Sequence, residues 1–284
     1  NPVYDIISTP SIRRNDRVLS GCSTNAALAA AYLGEQATLV GTVGEDFRTQ
    51  LGADLSRRGI KSHLLPSRQT GGFSLYYYDD QGNRELTVLG EADPIGVFTE
   101  GADQADFILI GPILGEIGVD LVKALRQVSR APIMVDPQGL LRGIKQGKIV
   151  HELTDDFVQI AKLATVVKAN ELETRVVTGI EPRAEPEKAV RALYEYGCQI
   201  AITTLAEAGS IMYDGKKITI IPPYTTNAID PTGAGDAMTA AILDAYQEST
   251  ARGKAAFRKA LQASGIHPSD LPDFAWGSVM GLQE

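Results

Sequence analysis

Apolar positions along the chain fall into two alternating patterns. Short runs rich in β-branched residues occur at 37–43 (ATLVGTV), 106–111 (DFILIG), 132–136 (PIMVD), 165–170 (TVVKAN) and 199–204 (QIAITT), and each has the length and composition of a strand. Between or beside them lie longer segments with apolar residues at helical spacing, at 24–34, 47–59, 119–129 and 185–197. Three of these end on Gly34, Gly59 and Gly197, and glycine readily takes the left-handed conformation that closes a helix. Strands alternating with helices predict βαβ units and a mostly parallel sheet. One region breaks the alternation: 71–90 (GGFSLYYYDDQGNRELTVLG) reads as two strands around an Asp-Asp-Gln-Gly-Asn turn, a β-hairpin. Three consecutive tyrosines, Tyr76 to Tyr78, put aromatic rings on both of its faces. Such a hairpin is either a lid or interface, or an edge that covers one flank of the sheet. With no internal repeat, linker or clear boundary, the 284 residues are expected to form one α/β domain with a small β excursion.

Composition narrows the partners. At 44% hydrophobic and 22% charged the chain has the make-up of a globular protein. A net charge of −8 argues against nucleic acid as the main partner, which needs a basic face. It leaves room for a phosphorylated small molecule, since backbone N–H groups hold phosphate without net positive charge. Cys22 and Cys198 lie far apart and His63, His151 and His267 are scattered, so no metal-type spacing arises. No apolar run approaches membrane-spanning length and the opening residues lack a basic-then-apolar pattern, so a reducing, cytoplasmic setting away from membranes is expected.

The chemistry concentrates in residues 228–242, AIDPTGAGDAMTAAI. Gly233, Ala234 and Gly235 leave their N–H groups unobstructed, and glycine at positive φ lets successive N–H groups point the same way. Residues 237–246 have the pattern of a helix. Its first N–H groups lack internal partners and carry the positive end of the macrodipole, so a phosphate would be stabilised there. Neither GxxxxGK[ST] nor GxGxxG after a strand occurs. Asp236 is then out of place, because an acid repels an anion unless it has a task. Two readings of this residue stand open: a helix N-cap, or a general base that takes a proton from a hydroxyl attacking a γ-phosphate.

Residues 230–236, DPTGAGD, resemble the C-terminal signature Asp-x-x-Gly-Ala-Gly-Asp of the ribokinase family of carbohydrate kinases. Further segments follow in that family's order. SGCSTNAALAAAYLG (20–34) is similar to its Gly-Gly-x-x-x-Asn segment, with Gly21 and Asn25 matching and Ser20 in place of the first glycine. NPVYDII (1–7) resembles the end of its first strand, with Asp5 as the acid for sugar hydroxyls. VGTVGEDF (40–47) is similar to its Val-Gly-x-Asp turn. KANELE (168–173) resembles its Asn-x-x-Glu motif through Asn170 and Glu173. TLAEAGS (204–210) is similar to Thr-x-Gly-x-x-Gly, with Thr204 and Gly209 matching and Ala206 in place of the middle glycine, a methyl that is tolerated where φ stays negative. VDPQGLLR (135–142) resembles the family's Asp-Pro strand end, where Asp136 shapes the loop and stays outside the expected site. No counterpart of the family's adenine-contacting segment stands out after residue 246.

The resemblance implies an α/β fold, a ribokinase-like three-layer sandwich with a central mostly parallel sheet and a small β lid from about 71–90, in a single kinase domain over 1–284. It implies an ATP-dependent, Mg²⁺-assisted phosphotransferase acting on a hydroxyl of a sugar or sugar-like polyol. Asp236 would be the catalytic base and Gly233, Ala234 and Gly235 the anion hole; Asp230 would order the loop. Asp5, Gly21 and Asn25 would bind the acceptor, Thr204 and Gly209 the nucleotide, and Asn170 and Glu173 Mg²⁺, largely through water. Three plainer readings accompany these: Asn25 as a helix cap, Glu173 as an acid in a first helical turn, and Arg13, Arg14 and Arg84 as surface charges rather than readers of a phosphorylated acceptor. A nucleoside kinase, with lid aromatics stacked on a base, is the alternative of the same class. A non-catalytic sugar- or nucleotide-binding regulator is the alternative of another class. Homodimerisation through the lid is the assembly the family suggests.

Overall fold

The computed structural model describes residues 1–8, 16–78, 84–223 and 235–242; Gly233, Ala234, Asp230, Arg13, Arg14 and everything after 242 lie outside them. The first part of the chain runs β1 (Val3–Ser8), β2 (Val18–Ser20), α1 (Cys22–Tyr32), β3 (Thr38–Val43), α2 (Glu45–Ser56), β4 (Lys61–Pro66), β5 (Gly72–Tyr77) and β6 (Arg84–Gly90). There follow β7 (Ile108–Ile110), α3 (Val119–Val128), β8 (Ile133–Val135), β9 (Arg142–Lys145), β10 (Lys148–His151) and α4 (Asp155–Ala161). The last part holds β11 (Val166–Ala169), α5 (Glu171–Thr178), α6 (Pro186–Tyr194), β12 (Ile200–Thr204), β13 (Ser210–Tyr213) and β14 (Ile218–Ile221), and then the helical segment 235–242.

Four of the five apolar runs become the parallel strands of a six-stranded sheet, ordered β14-β13-β12-β11-β8-β7, with β13 and β14 returning antiparallel along one edge. The fifth run, β3, pairs instead with β4 in a separate parallel ribbon. Alternation along the strands serves two cores. Val135, Val167 and Ala201 lie with Val122 of α3, Phe157 of α4, Val177 of α5 and Leu193 of α6. The residues next to them, Met134, Val166 and Ile202, lie in a second core with Met238 and Ile242 of segment 235–242. A sheet covered on both faces has near-continuous apolar strands, which is why these runs were legible. The helical layers and the sheet between them make the three-layer α/β sandwich.

The smaller sheet has the order β2-β1-β5-β6, with β1 and β5 parallel and the other pairs antiparallel. The expected hairpin is therefore present, with Leu75 opposite Leu86 and Phe73 opposite Val88. Gly72 permits the β1–β5 pairing to close, since a methyl there would stand 2.4 Å from the Tyr4 carbonyl oxygen. Tyr76 and Tyr78 are exposed. A second hairpin, β9–β10, turns through Gln146 and Gly147, both at positive φ, as a two-residue type I′ turn requires.

Candidate active site

A cavity of about 230 Å³ opens between the smaller sheet and the carboxyl ends of β8, β11 and β12, where ligands of open α/β sheets bind. Asp5, Phe73, Leu75 and Leu86 face it from the smaller sheet, and Gly21, Cys22 and Asn25 from the start of α1. Asp136, Arg142, Lys168, Asn170, Glu173 and Thr204 face it from the larger sheet and its loops, with Gly235 and Asp236 closing the ring.

The chain brings α1 and segment 235–242 together through one side-chain bond. Asn25 Nδ2 donates to Asp236 Oδ2 at 2.9 Å across 211 positions of sequence. Asn25 lies inside α1, whose N-cap is Gly21 at φ +113, so it does not cap the helix. Asp236 is the second residue of its helical run, not the residue before it. Burial raises the Asp236 pKa; the Asn25 bond works against that shift and the charge of Asp136 adds to it. The carboxyl still sits in reach of donors, as a base needs. On the opposite wall, Asp5 is buried in β1 and accepts the Phe73 N–H at 2.8 Å, so one carboxylate both pins the smaller sheet and reaches the cavity.

Sequence reasoning left out the charged pair at the centre. Asp136 follows β8 and forms a 2.9 Å ion pair with Lys168 Nζ of β11, both side chains being buried. Burial opposes the Lys168 charge, yet the carboxylates of Asp136 and Glu173 outweigh it and raise the ammonium pKa overall. Cys22 also belongs here: its sulfur and one oxygen each of Asp136 and Asp236 lie within 4.8 Å of one another. Burial, then the two carboxylates, raise that thiol well above its usual range, so it stays protonated. Lys168 had a readable signal, a lone charge inside an apolar parallel strand, where a side chain is normally core.

Asn170 and Glu173 form a full capping box at the start of α5: Asn170 N–H and Nδ2 donate to the two Glu173 oxygens at 2.8 Å, and Glu173 N–H donates back at 2.9 Å. The cap and the cavity position are therefore held by the same residues. Burial, with the Asp136 charge adding, pushes Glu173 up to about 7. Thr204 reaches the cavity, whereas Gly209 lies at the turn into β13, packed against the Ile221 carbonyl, and is not part of the wall. Ala206 overturns the expectation of negative φ: it sits at φ +47, in the left-handed region, because the loop keeps the backbone path that a glycine would take there.

These features agree with comparisons to known proteins. The family described as pfkB family carbohydrate kinase matches residues 12–267. Cytidine kinase from Thermococcus kodakarensis is 27% identical over 235 residues, covering 80% of this chain and 78% of its own. Ribokinase from Bacillus subtilis is 28% identical over 240 residues, covering 81% and 75%. Among solved structures, a pyrophosphate-dependent kinase of the ribokinase family, complexed with a pyrophosphate analogue and myo-inositol, superposes with a TM-score of 0.74 at 22% identity, covering 87% of this chain and 85% of that one. Arabidopsis thaliana ribokinase, complexed with ribose and ATP, gives 0.65 at 19% identity over 87% and 83%. The chain belongs to the pfkB family of carbohydrate kinases and, with its ribokinase-like fold, is a phosphotransferase that acts on a sugar.

Proposed function

We propose that the protein transfers the γ-phosphoryl group of ATP to a hydroxyl of a sugar or sugar-like polyol, with Asp236 as general base. The observation that carries this reading is the buried Asp236 carboxylate at the start of segment 235–242, bonded to Asn25 and turned to the cavity. Asp236 takes the hydroxyl proton while the acceptor oxygen forms its bond to the γ-phosphorus. The bond from that phosphorus to the bridging oxygen breaks, and ADP leaves with the electron pair. The N–H groups of Gly233, Ala234 and Gly235, at the positive end of the helix, stabilise the charge in transit. Asp5 and Asn25 supply the acceptor and donor groups that suit neighbouring hydroxyls.

The donor set at α5 fits Mg²⁺. Each Glu173 oxygen already accepts one N–H, and a carboxylate has about four lone-pair sites, so water-mediated ligation remains open. Asn170 and Glu173 would hold the ion through its waters, as Mg²⁺ prefers, and when bound it neutralises phosphate charge. Thr204 would lie beside the nucleotide. A polyol is favoured over a nucleoside by the position of the lid aromatics, since Tyr76 and Tyr78 are exposed and absent from the cavity wall.

The test is ADP release from ATP and Mg²⁺ across ribose, ketohexoses, myo-inositol, sugar acids and cytidine. Turnover on a sugar or polyol is expected, with Asp236→Asn slower by about 10²–10⁴-fold. Wild-type turnover in Asp236→Asn would overturn the base, and turnover on cytidine alone would overturn the acceptor class.

A further inference from the structure

Lys168 has no task in the transfer as written, yet its position is a costly one. Burying an ammonium demands compensation, and Lys168 is 3% exposed. Alternation along β11 explains how it arrives there. Val167 and Ala169 join the core beneath α3 to α6, while Val166 joins the opposite core, packed with Met238 and Ile242 of segment 235–242. Lys168 shares the parity of Val166, so its ammonium reaches the beginning of that helical segment: a methyl built on Gly235 would stand 3.2 Å from Nζ. A helix start carries positive partial charge and favours anions, and a cation set against it is repelled. Two positive elements that converge on one cavity mark a place for negative charge between them. Asp136 satisfies one side of the ammonium at 2.9 Å, but an ammonium has three donors, and Lys168 is also part of the cavity wall.

We propose that Lys168 is a catalytic residue whose ammonium bonds a non-bridging oxygen of the phosphoryl group in transit, opposite the helix start, with Asp136 as the positioning residue that holds it there. This rests on the kinase reading and adds to it a full positive charge that a backbone anion hole lacks. Gly235 is then required for room as well as for its N–H.

Lys168→Met is expected to lower kcat by about 10²–10³-fold, the loss typical of one preorganised donor, with the acceptor KM changed only a few-fold. Because that variant strands the Asp136 carboxylate, Lys168→Met/Asp136→Leu, which replaces the pair by apolar groups, keeps the test open if the single variant misfolds. A second readout needs no turnover: inorganic pyrophosphate should raise the Tm of the wild type and not of either variant. A kcat within threefold of wild type, or a pyrophosphate shift retained in the double variant, would overturn the proposal. So would the lack of any pyrophosphate shift in the wild type. Silence of the wild type on every acceptor would instead sink the kinase reading, while the pyrophosphate shift still decides the role of Lys168 in holding an anion.

Discussion

The two sheets that meet at the cavity differ in depth. The larger is covered on both faces, and Val135, Val167 and Leu193 of its core are fully buried. The smaller keeps one face against a modest cluster of Val3, Cys22, Phe73, Leu75 and Ile113, while Tyr78 beside it is 54% exposed. The groups assigned to phosphoryl transfer, Lys168, Glu173 and Asp136, stand on the deep sheet. Those that would select the acceptor, Asp5, Phe73, Leu75 and Leu86, stand on the shallow one. Transfer demands fixed geometry, which a close-packed core enforces; acceptor choice needs a wall that changes without unfolding the enzyme.

Paired truncations test that division. Leu193→Ala empties a fully buried site and should cost about 2–5 kcal/mol in urea unfolding, with the acceptor KM unchanged in the fraction that remains folded. Leu86→Ala removes a half-buried side chain from the cavity wall. It should cost less stability and lower kcat/KM for the acceptor by roughly ten- to hundredfold. Equal stability losses with no kinetic change at Leu86 would mean that the shallow sheet is merely a cover.

The pH dependence probes the junction between the sheets, where Asn25 meets Asp236. Since burial raises the Asp236 pKa, the acid limb of kcat/KM should lie above the ordinary carboxylate range. Removing the Asn25 donor should move it higher again, because that bond favours the charged form. Stability carries the same sign. A carboxyl whose folded pKa is raised helps most below its unfolded pKa and loses that contribution as pH rises through the folded value. At neutral pH the folded protein therefore bears the cost of an ionised Asp236, and Asp236→Asn should melt above wild type while turning over poorly. An Asp236→Asn protein that melts lower at pH 7, with the gap unchanged at pH 4, would return Asp236 to a purely structural role.

Much of this was readable before any coordinates, for identifiable reasons. Strands buried on both faces announce themselves as apolar runs, so β7, β8, β11 and β12 were located within one or two residues. The hairpin at 71–90 declared itself through its turn residues. Sheet membership was not readable: β3 has the same character as its fellows but pairs with β4, and nothing in a single strand encodes its neighbour. At the site, Asn25 and Asp236 were found by motif, while their mutual bond across 211 positions emerges only when α1 and segment 235–242 are folded together. Asp136 and Lys168 escaped because each looks like an incidental charge until the other is seen 2.9 Å away. The β9–β10 hairpin escaped because Gln146 is an uncommon residue for positive φ.

Ala206 gives the smallest effect and the finest test of the deep sheet. It lies just beyond β12, two residues after Thr204 at the cavity, and holds φ +47. An L-residue there costs roughly 1–2 kcal/mol relative to the right-handed region. Glycine removes that cost, but its freer unfolded chain returns about 0.4–1 kcal/mol of it. Ala206→Gly should therefore stabilise by at most about 1 kcal/mol, seen as a small rise in Tm. The loop is tied down from outside, since Arg183 donates to Glu207 at 2.6 Å and to Glu171 at 2.7 Å, so the gain should not be lost to fraying. If Ala206→Gly melts lower instead, the left-handed alanine is held by contacts worth more than its strain, and the loop beside Thr204 is as rigid as the strands that carry Lys168.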